Sequence, residues 1–172
     1  MMDDIRLIDY DPRWPELYAE AAAGLRQALG ASLVSVEHMG STAVPGLAAK
    51  PIIDIQAVIR EVSDMDGAAP ALAALGWVRG TFTAGPYPER HLYFKKNDAQ
   101  GARTHQLHAY EADHPAAAAH LLFRDYLRAY PEEAARYEDL KRGLAQQHRH
   151  DRLVYSDAKT AYVEAVLLKA RG

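Results

Sequence analysis

Trp14, Leu17, Tyr18, Ala21, Leu25, Ala28 and Leu29 recur at helical spacing. The stripe predicts an amphipathic first helix that opens at Asp11-Pro12 or Trp14-Pro15, stops at Gly30 and packs its apolar side as core. The period then drops to two. LVSVEH, residues 33 to 38, is rich in β-branched residues, and PIIDIQAVI, residues 51 to 59, sets Ile53, Ile55, Ala57 and Ile59 on one face of a second strand. Asp64 to Leu75 carries an Ala/Leu pattern closed by Gly76, which predicts a short helix whose start is blurred by Pro70. Residues 77–83, 91–96 and 103–110 read as three further strands, the last two joined through the turn-rich NDAQGA.

From Pro115 the pattern is helical: an Ala-rich stretch to about Tyr130, a helix opening at Pro131-Glu132-Glu133, and a last helix after Ser156-Asp157. AQQHRHDRLVYS, residues 145–156, reads as a polar connection. Strands early and helices late predict an α+β domain, with a sheet of about five strands backed by the first helix and covered on a face or edge by the C-terminal helices.

A chain of 172 residues, 49% of them hydrophobic, has the size and apolar content of one domain spanning 1–172. The net charge of −3 gives no sign of a nucleic-acid or membrane-surface partner, though it allows a local basic cleft, and small-molecule or protein partners are expected. The absence of cysteine removes disulfides, thiol catalysis and zinc-thiolate sites. The N-terminal MMDDIRLIDYDPRW has acids where a secretory signal has bases, and no run reaches the roughly 18 apolar residues of a membrane span, so a soluble cytoplasmic protein is expected.

The chemistry concentrates in HMGSTAVPGLAAKPIID, residues 38 to 54. Gly40 permits close backbone approach to a ligand, and Ser41 and Thr42 add hydroxyls to the outward N–H groups of a tight turn, a set suited to phosphate; taken alone, the motif reads equally as a plain turn between two strands. Asp54 and Gln56 alternate onto the face opposite the isoleucines, where a carboxylate can hold Mg²⁺ beside those phosphates. Lys50 lies at the strand entrance, within reach of a phosphate or simply of water. Arg103 opens a later strand, adding charge to an anion cleft or ending a hairpin. His91 shares a strand face with Tyr93, and Gln106 shares one with His108, leaving His105 on the opposite side. His91 and His108 with Asp54 could form a metal or acid–base site, since imidazole suits Zn²⁺, Ni²⁺ or Fe²⁺, although a histidine on a strand is more often a hydrogen-bonded structural residue. Lys159 falls on the stripe of Tyr162, Val163 and Val166, so its ammonium must find an anion or extend to the rim. Tyr155 and Ser156 are its neighbours in sequence.

EHMGSTAVPGLAAKPIIDI resembles the signature of the GrpB family, also called UPF0157, a group of small bacterial proteins whose domain also occurs fused behind dephospho-coenzyme A kinase. The opening YDPRW, the strand RTHQLH, the helix PEEAARYEDLK and the closing YSDAKTAYVEAVL extend the resemblance over nearly the whole chain. It implies a nucleotidyltransferase-like mixed sheet, whose motif is Gly-Ser, a spacer of this length, two acids alternating on a strand and a third acid from a neighbouring strand. Asp54 stands for the first acid, but Gln56 occupies the second position and the strands HLYFKK and RTHQLHAY supply no third. Where the family pattern tends toward His-x-His, this chain has Gln106 and then His108. A lysine on a late helix of such folds often contacts nucleotide phosphates, a role that falls to Lys159.

The resemblance therefore implies a protein that binds a nucleotide or phosphorylated small molecule. One reading is nucleotidyl transfer, with Asp54 on a divalent ion, Mg²⁺ or Mn²⁺ before Zn²⁺, and His108 or His91 as base. The alternatives are a non-catalytic nucleotide- or coenzyme-binding module, and a hydrolase built on a His/Asp-bound metal that includes His108.

Overall fold

The computed structural model describes residues 5–81 and 87–172, apart from the side chain of Arg152. The first helix, α1 (Trp14–Leu29), carries Pro15 in its first turn and ends at Gly30, whose φ of 51° opens the chain into a single 3₁₀ turn. Of the expected stripe Trp14, Leu25 and Leu29 are buried and Tyr18, Ala21 and Ala28 half-buried, with Ala22 buried beside them, whereas Leu17 stays 39% exposed.

Five strands follow, β1 (Leu33–Met39), β2 (Ile53–Ile59), β3 (Val78–Gly80), β4 (His91–Asn97) and β5 (Arg103–Glu111), with helix α2 (Asp64–Ala74) between β2 and β3. They form one sheet in the order β1-β2-β5-β4-β3, antiparallel except for the central β2–β5 pair. β2 starts at Ile53, two residues later than expected, because Pro51 has no N–H to give a ladder. Of the strand expected at 77–83, Val78–Gly80 pairs with β4, while Phe82 and Thr83 lie outside the described residues. α2 runs straight through Pro70, which sits on its exposed side; Met65, Ala68 and Leu72 on the other side bury enough apolar surface to offset the missing N–H.

The two faces of the sheet have different work. On one, Val36, Ile53, Ile55, Ala57, Ile59, Phe94, Leu107 and Ala109 pack against α1 and α2 as the main core. The other face presents Asp54, Gln56, Gln106, His108, Tyr93 and His91, brought level by the register of β2 on β5 and β4 on β5.

The C-terminal half is helical: α3 (Pro115–Ala129), α4 (Pro131–Gln147), α5 (Arg152–Asp157) and α6 (Thr160–Ala170). The connection expected over 145–156 is therefore mostly ordered, since α4 continues through Gln147 and α5 is capped by Asp151, which accepts the Val154 N–H at 3.0 Å. Leu127 and Tyr137 form a second apolar cluster with Val44 and Leu47, joined by Phe123, Tyr162 and Val163. That cluster fastens the helices to the segment just after the Gly-Ser-Thr turn. Among the described residues no helix is long and apolar enough to cross a membrane.

Candidate functional site

The site is assembled where β1 ends. Gly40 leaves the strand at φ 72°, ψ −171°, a backbone region essentially restricted to glycine, and Ser41–Ala43 form a 3₁₀ turn. Met39 pairs with Asp54 in the β1–β2 register, so the turn lies directly against the Asp54 carboxylate. A Cβ at residue 40 would come within 2.6 Å of Asp54 Oδ2, so glycine is required both for the turn and for that approach.

Thr42 has a different neighbourhood from Ser41. It is buried, and its hydroxyl meets His38 Nε2 at 3.0 Å, which ties the turn to the core face; His38 in turn stacks on Tyr18 of α1 with ring centroids 4.8 Å apart. Ser41 Oγ instead accepts a hydrogen bond of 3.0 Å from Nζ of Lys141, a residue of α4 that is only 2% exposed. Lys141 also donates to the carbonyl of Ala48 and lies 5.0 Å from the centre of the Tyr137 ring. From the same helix Glu138 accepts the Ala48 N–H at 2.8 Å, so α4 holds both polar groups around that residue.

Two more lysines converge here. The ammonium groups of Lys50 and Lys159 stand over the buried Tyr155 ring, 5.3 Å and 4.3 Å from its centre. Burial is the main cause that drives Lys141 down to about 7, with the positive charge of Lys159 next, and Lys50 acts in the same direction. The Tyr155 hydroxyl is pushed up to about 12 by burial, so the ring remains neutral.

Asp54 is fixed from the β5 side. Gln106 donates from Nε2 to Asp54 Oδ1 at 3.0 Å, Tyr93 donates its hydroxyl proton to Gln106 Oε1 at 2.8 Å, and Arg103 donates to the Tyr93 hydroxyl at 3.1 Å. A Cβ on Gly80 would stand 2.7 Å from the Tyr93 ring, so the small residue on β3 makes room for this chain. Gln106, not His108, is the register partner of Asp54; His108 stands beside Gln56. Gln56 is 1% exposed, and among the described residues neither its amide oxygen nor its nitrogen has a hydrogen-bond partner.

His91 Nε2 and His108 Nδ1 lie 3.0 Å apart, with Tyr110 stacked on His91 at 4.3 Å between centroids. Burial is the leading cause that lowers His91 to about 4 and His108 to about 3, so both rings are neutral at pH 7. Among the described residues no three His, Asp or Glu side chains are placed to hold a metal ion together.

Sequence reasoning passed over Lys141 and Gln106's role as the holder of Asp54. Lys141 follows Ala134 and Tyr137 on the packed stripe of α4, and a lysine ending such a stripe was the available signal.

The five-stranded mixed sheet, with the Gly40-Ser41 turn against Asp54 of the next strand, has a nucleotidyltransferase-like fold. A structure of Cid1, described for its RNA terminal uridylyl transferase activity, superposes with a TM-score of 0.51 at 17% identity, covering 78% of this chain and 41% of Cid1. Within that class the chain belongs to the GrpB family, whose model, described as GrpB protein, matches residues 4–169. The crystal structure of GrpB from Enterococcus faecalis is similar at a TM-score of 0.84 and 35% identity, covering 96% of each chain. A UPF0157 protein of Streptomyces coelicolor is 40% identical over 167 residues, 97% of this chain and 84% of that protein. A dephospho-CoA kinase of Mycolicibacterium paratuberculosis is 31% identical over 163 residues, which span 83% of this chain and 40% of the kinase.

Proposed function

We propose that this protein binds a nucleotide or a related phosphorylated small molecule, with its phosphates on the Gly40-Ser41 turn. The observation that carries the reading is a buried lysine, Lys141, held on the turn through Ser41, with Lys50 and Lys159 close enough to act on its charge. Lys141 is held on Ser41 Oγ at 3.0 Å, and the other two flank Tyr155. An amine on the hydroxyl beside a glycine turn, with two further lysines nearby, supports an anion site. The similarity to part of a dephospho-CoA kinase agrees with a nucleotide- or coenzyme-class ligand.

The donor set fits one hard divalent ion better than two. Mg²⁺ or Mn²⁺ needs one or two carboxylates plus ligand phosphate oxygens, and Asp54, oriented by Gln106, supplies the carboxylate. Such an ion would supply charge neutralisation at the phosphates. Among the described residues a second ion finds no acid beside Asp54, because Gln56 and Gln106 are neutral and Glu37, opposite Gln56, is drawn 3.0 Å to Arg124 of α3. Zn²⁺ on Asp54 and His108 has less support than Mg²⁺ or Mn²⁺, because Gln106 and not His108 is the residue that stands opposite Asp54 and bonds it. Binding without two-metal nucleotidyl transfer is therefore the function the geometry supports best.

The test is thermal unfolding with ATP, UTP and dephospho-coenzyme A, each with and without Mg²⁺ or Mn²⁺, beside a Lys141→Met variant. A ligand at about 100 times its Kd adds roughly 2.7 kcal/mol. Stabilisation of the parent protein that Lys141→Met loses is the expected result; an unchanged transition with every compound overturns the proposal.

A further inference from the structure

The phosphate site contains a charge that the protein leaves without a bonded counter-ion. Lys141 Nζ contacts Ser41 Oγ, the Ala48 carbonyl and the Tyr137 ring, and among the described residues no carboxylate bonds it. Lys50 from the segment before β2 and Lys159 from the start of α6 press on it with like charge, as does Arg142 on its own helix. Glu138 is the opposing charge, but its oxygens are taken by the Ala48 N–H and by Arg142 Nε at 2.9 Å. Asp54 lies across the turn against Gly40, and its Oδ1 accepts from Gln106. The Tyr137 and Tyr155 hydroxyls are held protonated by burial and contribute no charge. A buried ammonium in such company is costly, whereas a multiply charged anion seated on the turn would supply what it lacks.

We infer that the site selects a ligand group carrying at least two negative charges, a terminal phosphate or polyphosphate, and that its binding drives one proton onto Lys141. This deepens the phosphate-binding reading and rests on it. The linkage has a defined sign. The unliganded amine, lowered to about 7, is mostly neutral above that pH, while the anion restores the ammonium form. Affinity is then flat below about pH 6.5 and falls by up to about tenfold per pH unit above about pH 7.5, until the raised value of the complex is passed.

The probe is sulfate, a dianion with no titration of its own in this range, measured by calorimetry from about pH 6 to about pH 9 with the full chain. The expected result is sulfate binding that weakens by up to tenfold per unit above neutrality, with uptake of one proton shown by the dependence of heat on the ionisation enthalpy of the buffer. Lys141→Arg, charged throughout, is expected to flatten the pH dependence; folding of that variant is checked by circular dichroism. Because the parent protein alone gives the slope, a poorly folded variant does not decide the outcome. Sulfate that binds with constant affinity across the range overturns the proton linkage and leaves phosphate binding standing. Absence of sulfate binding at pH 6, where Lys141 is charged, overturns the dianion site and its proton linkage, while the nucleotide reading stands or falls by the thermal-unfolding test.

Discussion

Gly40 and Asp54 occupy adjoining space with no room for a methyl group between them: a Cβ on residue 40 would lie 2.6 Å from Asp54 Oδ2. The backbone at Gly40 also has φ 72° and ψ −171°, which an L side chain rarely tolerates. Gly40→Ala is therefore expected to cost about 1–3 kcal/mol from backbone strain alone and to push the Asp54 carboxylate out of line. Urea unfolding and nucleotide-induced stabilisation measure the two effects separately. A variant with parental stability and ligand response would show that this contact does not order the site.

Asp54→Asn keeps an acceptor for Gln106 but removes the negative charge. We expect the unliganded protein to change by no more than about 1 kcal/mol, roughly 2–4 °C in Tm. The extra stabilisation that Mg²⁺ or Mn²⁺ adds to a nucleotide should disappear, while metal-free phosphate binding through the lysines survives. Thermal scans of both proteins with and without the ion check this.

Glu133 joins α4 to α6. It is buried, accepts the Tyr162 hydroxyl at 2.5 Å and faces Lys169 at 2.9 Å, and these two partners, Tyr162 first, hold its carboxyl below the ordinary value. The stability it contributes is complete above the carboxyl's unfolded value and is lost as pH falls through the folded one. Tyr162→Phe removes a hydrogen bond to a charged acceptor and should cost about 1.5–3 kcal/mol at pH 7. Chemical denaturation at pH 7 and at about pH 3 should show the difference shrinking in acid as Glu133 takes up its proton.

His38 and His91, both buried, are lowered to about 4, mainly by burial. The unfolded chain protonates these rings near 6.5 while the folded one keeps them neutral, so acid favours unfolding between about pH 6.5 and pH 4. Each ring is expected to cost about 1.4 kcal/mol per pH unit in that window. Urea midpoints at three pH values give the slope, and His38→Gln should make it shallower; an unchanged slope would assign the acid sensitivity elsewhere.

Much of this architecture was written in local patterns. The alternation Ile53, Asp54, Ile55, Gln56 placed apolar and polar groups on opposite faces because a strand has a strict period of two. Trp14 and Leu25 marked the buried side of α1, although the pattern could not tell that Leu17 falls on its rim. α5 was harder to see: six residues cannot show a full helical repeat, and its start depends on an Asp151 cap within a polar run. The site divides in the same way. Gly40 and Asp54 were legible because they lie in one continuous motif. The pairing of Asp54 with Gln106 was not, since strand register across 52 residues is set by the packing of the whole sheet.

The Ser41–Lys141 contact spans 100 residues of sequence, and the Ala48–Glu138 contact spans 90. A chain emerging from the ribosome can complete β1, its turn and β2 long before α4 exists, so the proposed anion site is among the last parts of the molecule to close. Ligand binding there, if the proposal holds, would require synthesis and folding to have finished. A bound ligand would act as a clasp on α4 and slow amide exchange there more than in the sheet.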